Sequence, residues 1–175
     1  MNKKEAKAEI TKLREYAEKQ TELLYEKGGW NTINNKVYKL VIPRIISDAY
    51  DKAFEGVRKK PDVKDIAFLY GIIVNYANTD ELNDYKNAAW ASLDTLAQLM
   101  RISRNRVGKL SNILEANGLI KTIDFYEGTT RRKLYYPIHT PNITEDGYVL
   151  DENGKKIVPS LDVYKALAPK TKGAQ

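Results

Sequence analysis

The most constraining feature of the sequence is the stretch 92–120, in which apolar residues recur at helical spacing in two successive runs. The first run, 93–100, and the second, 104–116, each place their apolar residues on one face of a helix. Only the three residues 101–103 separate the two runs. A turn this short predicts two helices that cross and pack directly against each other.

Capping residues mark the ends of both predicted helices. Ser92 and Ser103 each precede a run, where a serine hydroxyl can accept a hydrogen bond from a backbone amide that lacks a partner within the helix. Gly118 follows the second run, at a position where the backbone commonly adopts a positive φ. Ala97 has a side chain small enough to let the second helix approach the first closely. Local residues alone therefore predict where both helices begin and end.

A β-hairpin is predicted directly after the second helix. Residues 119–126 have the composition of a strand and 131–136 that of a returning strand, with a turn between them at 127–130. Residues 88–91, before the first helix, are candidates for a third short strand in the same sheet. The predicted order is therefore helix, turn, helix and hairpin.

This order of elements resembles the winged helix-turn-helix superfamily of DNA-binding proteins. The resemblance depends on the apolar positions of both helices, on Ala97 and on the closing sequence Ala-Asn-Gly-Leu-Ile at 116–120, and it covers the core motif 88–137. It implies a mainly α fold with a small β-sheet, which this chain extends with a helix at its N-terminus and a β-hairpin at its C-terminus.

Two further features bear on the resemblance. Arg101 stands where the turn of this superfamily usually carries glycine. Either Arg101 adopts a left-handed conformation, at a cost of about 1 kcal/mol, or the turn is slightly longer. Upstream, the Ile-Pro pair at 42–43 and the two helices after it resemble, more distantly, the N-terminal DNA-binding domain of plasmid and phage replication initiators.

The whole chain is predicted to have three parts. Residues 1–28 form an amphipathic helix that packs either on the rest of the chain or on a second copy of itself. Residues 30–140 form the winged helix-turn-helix domain. Residues 141–175 contain a hairpin, a short helix and a polar tail, and the pair Asn153-Gly154 in that hairpin favours a type I′ turn.

Three elements are predicted between the N-terminal helix and the core motif. Residues 36–43 are β-prone and end at a proline, which favours a short strand. Residues 45–54 favour a helix that Gly56 ends. Residues 62–76 are strongly apolar over more than one helical face, and Asp62 can cap their first turn, so they are predicted to form the central core helix.

The positive charge of the chain is concentrated in the core motif. The 175 residues carry a formal charge of +6, and the window 101–133 contains eight basic and three acidic residues, a net +5. A basic surface concentrated in this way is typical of proteins that bind a polyanion such as nucleic acid.

The winged helix-turn-helix resemblance implies which residues would contact DNA. The recognition helix 104–116 would enter the major groove, where Arg104 and Lys109 can address guanine and Asn105 and Asn112 can pair with adenine. Gly108 would either let the helix lie close to the duplex or be a tolerated weakness in the helix. Predicted phosphate contacts come from residues at or near helix N-termini, which are Thr95, Ser103 and Arg106. The wing, 126–133, would reach flanking DNA through Arg131, Arg132 and Lys133.

Several other function classes are disfavoured by composition. The chain has no cysteine, which excludes disulfides, thiolate metal sites and a cysteine nucleophile. Its single histidine, His139, has no suitably spaced serine or carboxylate for a catalytic triad, and no glycine-rich phosphate loop is present. We therefore expect no enzyme, metal or cofactor. The charged N-terminus and the lack of a long apolar run indicate a cytoplasmic protein with no membrane partner, of bacterial, plasmid or phage origin.

Two functions from different classes remain. The first is a sequence-specific binder of double-stranded DNA, acting as a homodimer in plasmid or phage replication, in partition or in transcription regulation. The second is a winged-helix adaptor that binds another protein in a replication or partition complex. Binding through several phosphates should weaken steeply with salt, whereas an apolar protein interface should not.

Overall fold

The structure is a computed structural model that describes residues 33–78, 86–127 and 129–168. For 125–127 and 130–132 only the backbone is described. The chain divides into two units at residue 31, and all described residues belong to the second unit. The helix predicted over 1–28 and the polar tail from 169 lie outside the described residues.

The first described helix, α1, is continuous and changes its winding twice. It runs from a π-helical turn at Val37–Val41 through α-helical Ile42–Ser47 to a second π-helical turn at Asp48–Ala53. The strand predicted over 36–43 was therefore wrong. Val37, Val41 and Ile45 are all fully buried, and they lie on one face of the helix. Pro43 is the second residue of the α-helical part, directly after the first π-helical turn, so the change in winding coincides with the residue that lacks an amide donor.

The second helix, α2, is Asp65–Asn75, and it forms the centre of the core as predicted. Ile66, Leu69 and Ile73 are fully buried. Phe68 and Tyr76 are not core residues, since they are 58% and 46% exposed. Asp62 does not cap the helix itself. Its Oδ1 accepts a hydrogen bond from the amide of Lys64 at 2.9 Å, in the turn just before it.

Two more helices and a hairpin follow. Helix α3 is Leu93–Met100, helix α4 is Arg104–Ala116, and strands β1 (Ile120–Glu127) and β2 (Thr130–Pro137) pair antiparallel from Ile120 opposite Pro137 to Glu127 opposite Thr130. The mainly α fold with a small sheet is thus confirmed. The predicted third strand is reduced to two isolated bridges of Ala89, one with Ala77 and one with Tyr135. In the second, the amide of Ala89 lies 2.7 Å from the carbonyl of Tyr135.

The C-terminal segment forms two successive tight hairpins followed by helix α5, Asp162–Lys165. The first brings Ile143 opposite Val149, and the second, which is the predicted hairpin, brings Leu150 opposite Lys156. Its turn is not type I′, because only Gly154 and not Asn153 has a positive φ. Instead Oδ1 of Asp151 accepts hydrogen bonds from the amides of Asn153 and Lys155, both at 2.9 Å. The carboxylate of Asp151 thus stabilises a three-residue loop in which Gly154 adopts the left-handed conformation.

A buried polar cluster joins α1, the end of α4 and the C-terminal segment. Arg44 donates from Nη1 to Oδ2 of Asp48 at 3.0 Å and to Oδ1 of Asn117 at 2.6 Å, and from Nε to the carbonyl of Gly147 at 3.2 Å. Its guanidinium also lies 4.3 Å from the centre of the Tyr148 ring. We call these five residues the Arg44 cluster. Asn117 directly follows α4, so the cluster attaches the end of that helix to the rest of the fold.

Candidate nucleic-acid interface

The turn between α3 and α4 has the predicted length and an unusual backbone conformation. Arg101 has φ 56° and ψ 37°, which is left-handed, so the alternative of a longer turn is excluded. The two serine caps form as predicted. Oγ of Ser92 accepts from the amide of Thr95 at 3.0 Å, and Oγ of Ser103 accepts from the amide of Arg106 at 3.3 Å. Local hydrogen bonds therefore define where both helices begin.

One face of α4 is buried in the core. Val107, Leu110, Ile113 and Leu114 have no solvent exposure, and Leu96 of α3 is equally buried. The helix ends in a Schellman arrangement, in which the amide of Leu119 bonds to the carbonyl of Leu114 and Gly118 has φ 72°. Core packing fixes the rotation of α4 about its axis, and the Schellman motif fixes where the helix ends. Together they determine which residues of α4 face outward.

The opposite face of α4 is open and continues into the β-hairpin. One surface groove is lined by residues of α3, of α4 and of both strands, which are Leu93, Arg104, Asn105, Gly108, Lys109, Asn112, Asp124 and Lys133. A Cβ built on Gly108 would meet no atom within 4 Å, so nothing within the chain requires a glycine there. The outward residues predicted on the recognition helix thus share one concave surface with Lys133 of the hairpin.

Two carboxylates at this surface were not predicted from the sequence. Asp124 lies directly opposite Lys133 in the hairpin register, and it lines the groove. Oδ1 of Asp94, in the first turn of α3, lies 3.0 Å from Nε of Arg104. The hairpin prediction contained a signal for Asp124, because a turn at 127–130 already places it across from Lys133. Asp94 gave no such signal, since its partner is ten positions away on another helix.

Arg106 points away from the groove and towards α2. Its Nε donates to Oδ2 of Asp65 at 3.0 Å, and Nη2 donates to the carbonyl of Asp62. The side chain is about three-quarters buried, at 26% exposure. This ion pair attaches the first turn of α4 to the start of α2, a structural role that the sequence did not indicate. Its contact with a phosphate stays a prediction.

The remaining predicted site residues are described to different extents. Oγ1 of Thr95 lies 2.9 Å from Oγ of Ser92, so the two hydroxyls are neighbours at the N-terminus of α3. Arg131 and Arg132 belong to β2, but their side chains lie outside the description. Lys133 is partly buried, with Nζ 5.7 Å from the centre of the Tyr135 ring. Among the side chains of the predicted wing that the structure describes, that of Lys133 lies at the groove.

Tyr135 of β2 is fully buried on the inner face of the hairpin. Burial raises the pKa of Tyr135 to about 12, and the negative charge of Asp124 adds to the shift.

Within the described ranges, no three metal-binding side chains come together as a metal site would require. None of the described helices combines the length and apolar character that a membrane crossing needs.

Comparison with known protein families gives a match to part of the chain. A family model described as a helix-turn-helix domain matches residues 67–120, a range that begins in α2 and ends at the first residue of β1. No curated protein and no solved structure gave a significant match. The described geometry agrees with that family, because α3, the left-handed turn at Arg101 and α4 lie within the matched range. Residues 67–120 of this chain are therefore a helix-turn-helix domain.

Proposed function

We propose that this chain binds double-stranded DNA sequence-specifically, with α4 in the major groove and the β-hairpin on flanking DNA. One observation carries the proposal: Arg104, Asn105 and Lys109 of α4 and Lys133 of β2 line the same open groove. A surface buried against the chain itself, or basic regions on opposite sides of the domain, would have argued against duplex binding. The match to a helix-turn-helix domain supports the same conclusion.

The side chains of the groove suit both the bases and the backbone of a duplex. Arg104 and Lys109 are hydrogen-bond donors suited to guanine O6 and N7, and Asn105 and Asn112 can pair bidentately with adenine. Ser103 and Thr95 lie near helix N-termini, where amides and hydroxyls can meet phosphates. We assign the phosphates of the flanking DNA to Arg131, Arg132 and Lys133, and a phosphate contact to Arg106 in addition to its ion pair.

Selection of duplexes from a random DNA pool tests this function directly. We expect the unmodified chain to enrich a defined sequence. Arg104→Ala combined with Lys109→Ala should weaken binding to that sequence roughly 100-fold or more, because each contact to a base edge is worth about 1–3 kcal/mol. The matched control is Lys155→Ala combined with Lys165→Ala, which removes the same charge from exposed positions outside the helix-turn-helix. Equal affinity and site preference in both double variants would contradict the assignment of α4.

The salt dependence of binding separates this function from that of a protein adaptor. Contacts with six to ten phosphates should reduce affinity by a factor of about 10³–10⁵ between roughly 50 and 200 mM salt. An adaptor that binds another protein through apolar area would show little change over that range. Measuring the affinity for the selected duplex over this range of salt concentration therefore distinguishes DNA binding from the function of a protein adaptor.

Gly108→Ala should change stability and DNA affinity in opposite directions. Because a Cβ at Gly108 would meet no atom of the chain, alanine should stabilise α4 by about 0.5–1 kcal/mol. The same Cβ would project into the groove that we assign to DNA, so affinity for the selected duplex should fall several-fold. Urea unfolding and a duplex titration measure the two effects.

Gly71→Ala in α2 is the control for Gly108→Ala. It also adds a Cβ to a helical glycine, but the neighbouring atom is the Tyr38 hydroxyl at 3.0 Å, outside the groove. Its effect should be confined to stability. A Gly108→Ala variant that binds DNA as tightly as the unmodified chain would show that the duplex does not approach α4 closely.

We further propose that the chain acts as a homodimer in plasmid or phage replication, in partition or in transcription regulation. Helix-turn-helix proteins commonly read two half-sites about one helical turn apart. An inverted repeat in the selected sequence, bound by two chains per duplex, would support the dimer. The position of that sequence at an origin, a partition site or a promoter distinguishes the three roles.

A further inference from the structure

The ion pair between Asp94 and Arg104 joins the two helices of the helix-turn-helix at the edge of the groove. Oδ1 of Asp94 lies 3.0 Å from Nε of Arg104, and the two side chains are 59% and 64% exposed. An ion pair this exposed contributes little to folding, because solvent screens it. Its small contribution to stability therefore does not explain why a carboxylate lies beside a surface that we assign to the binding of a polyanion.

The geometry of the guanidinium suggests what the carboxylate does. An arginine presents donors along the edge that contains Nε and at the far end that contains Nη1 and Nη2. Asp94 lies against Nε, which leaves the far end as the part of Arg104 that can reach a base edge. Among the described residues, Arg104 makes no second ion pair. The ion pair thus favours those rotamers of Arg104 in which the terminal fork is available.

Both partners are themselves placed by short-range contacts. Asp94 lies in the first turn of α3, which Ser92 caps, and Arg104 is the first residue of α4, which Ser103 caps. The left-handed Arg101 closes the turn between them. A carboxylate in the first turn of a helix is also favoured by the helix dipole. The backbone positions of Asp94 and Arg104 are therefore fixed relative to each other by the motif.

We propose that Asp94 is a positioning residue for DNA recognition: it orients Arg104 for end-on contact with a guanine and lowers affinity for other sequences. The inference rests on the proposed function. In a non-specific complex, the negative charge of Asp94 repels the phosphates and competes for Arg104. In the specific complex, the same charge holds the guanidinium in place, so Asp94 increases the difference between the two affinities.

The experiment measures discrimination with the selected duplex and with versions in which each guanine is replaced in turn. For the unmodified chain, one replacement should weaken binding about 10-fold or more, because Arg104 loses its base contact. In Asp94→Asn that ratio should fall several-fold, while binding to unrelated duplex tightens by roughly 2- to 5-fold through reduced phosphate repulsion. Asp94→Glu, which keeps the charge, should restore part of the discrimination.

The control and the second background make the test specific. Asp146→Asn removes the same charge from an exposed ion pair outside the helix-turn-helix, in which Asp146 Oδ2 lies 2.6 Å from Nζ of Lys156, and should leave discrimination unchanged. In an Arg104→Ala background, Asp94→Asn should no longer change the ratio for that guanine. The same loss of discrimination in both backgrounds, or no loss in either, would overturn the inference. Specific and salt-sensitive binding by the unmodified chain would still leave the proposed function intact, whereas its absence would refute both.

Discussion

Replacing Arg44 with alanine should lower the free energy of unfolding by about 3–5 kcal/mol, the usual cost of removing one partner from a buried ion pair. The side chains of Arg44 and Asp48 are only 9% and 7% exposed. Alanine would leave the Asp48 carboxylate without its buried partner, and the side-chain oxygen of Asn117 would lose a donor at 2.6 Å. Lys52 would compensate in part, since Nζ lies 2.6 Å from the other oxygen of Asp48.

Urea unfolding followed by circular dichroism would measure this loss. Lys156→Ala is the matched control, because it breaks an exposed ion pair with Asp146 and should cost less than about 1 kcal/mol. If the two variants lost the same stability, the Arg44 cluster would not hold the C-terminal segment to the end of α4. A large loss for Arg44→Ala alone would confirm that α4 depends on contacts far from the groove.

Gly147→Ala should destabilise the fold by roughly 2–4 kcal/mol, from a left-handed backbone and from overpacking together. Gly147 has φ 81°, and a Cβ there would lie 2.5 Å from the carbonyl oxygen of Leu40 and 3.1 Å from Cβ of Arg44. Both neighbours belong to α1, so neither can move without displacing backbone. The glycine is needed because the C-terminal segment crosses α1 at this point.

Gly154→Ala provides the comparison for Gly147→Ala. Its φ is 75°, but a Cβ there would meet no atom within 4 Å. It should therefore show only the conformational cost, about 1–2 kcal/mol. The difference between the two unfolding free energies isolates the contact with α1, and equal losses would mean that the segment can shift away from the helix.

The helix-turn-helix was predictable because its determinants are local. Ser92 and Ser103 cap helices that begin at the next residue, and Gly118 ends the second helix within its own last turn. The left-handed Arg101 was one of two alternatives that the sequence left open, the other being a longer turn. The outward face of α4 followed in the same way, since the buried positions of a helix determine the remaining ones.

Predictions that relied on the intrinsic preference of the residues alone were less successful. Residues 36–43 contain β-branched residues and a proline, yet they form the start of α1, because packing of Val37 and Val41 against the core outweighs intrinsic propensity. Phe68 and Tyr76 lie in the range 62–76 that was predicted to form the core helix, but they face solvent. Asn153-Gly154 suits a type I′ turn, but the carboxylate of Asp151 stabilises a different loop.

By itself the sequence determined the two helices, the hairpin and the polar face of α4, because each depends on residues close together in the chain. The structure decided between a left-handed Arg101 and a longer turn. Only the tertiary structure decided that Arg106 pairs with Asp65, that Arg44 joins α1 to Asn117, and that Asp94 lies against Arg104. Charged side chains are long and can adopt many rotamers. Their partners are therefore selected by how the helices pack, and no spacing along the chain encodes that choice.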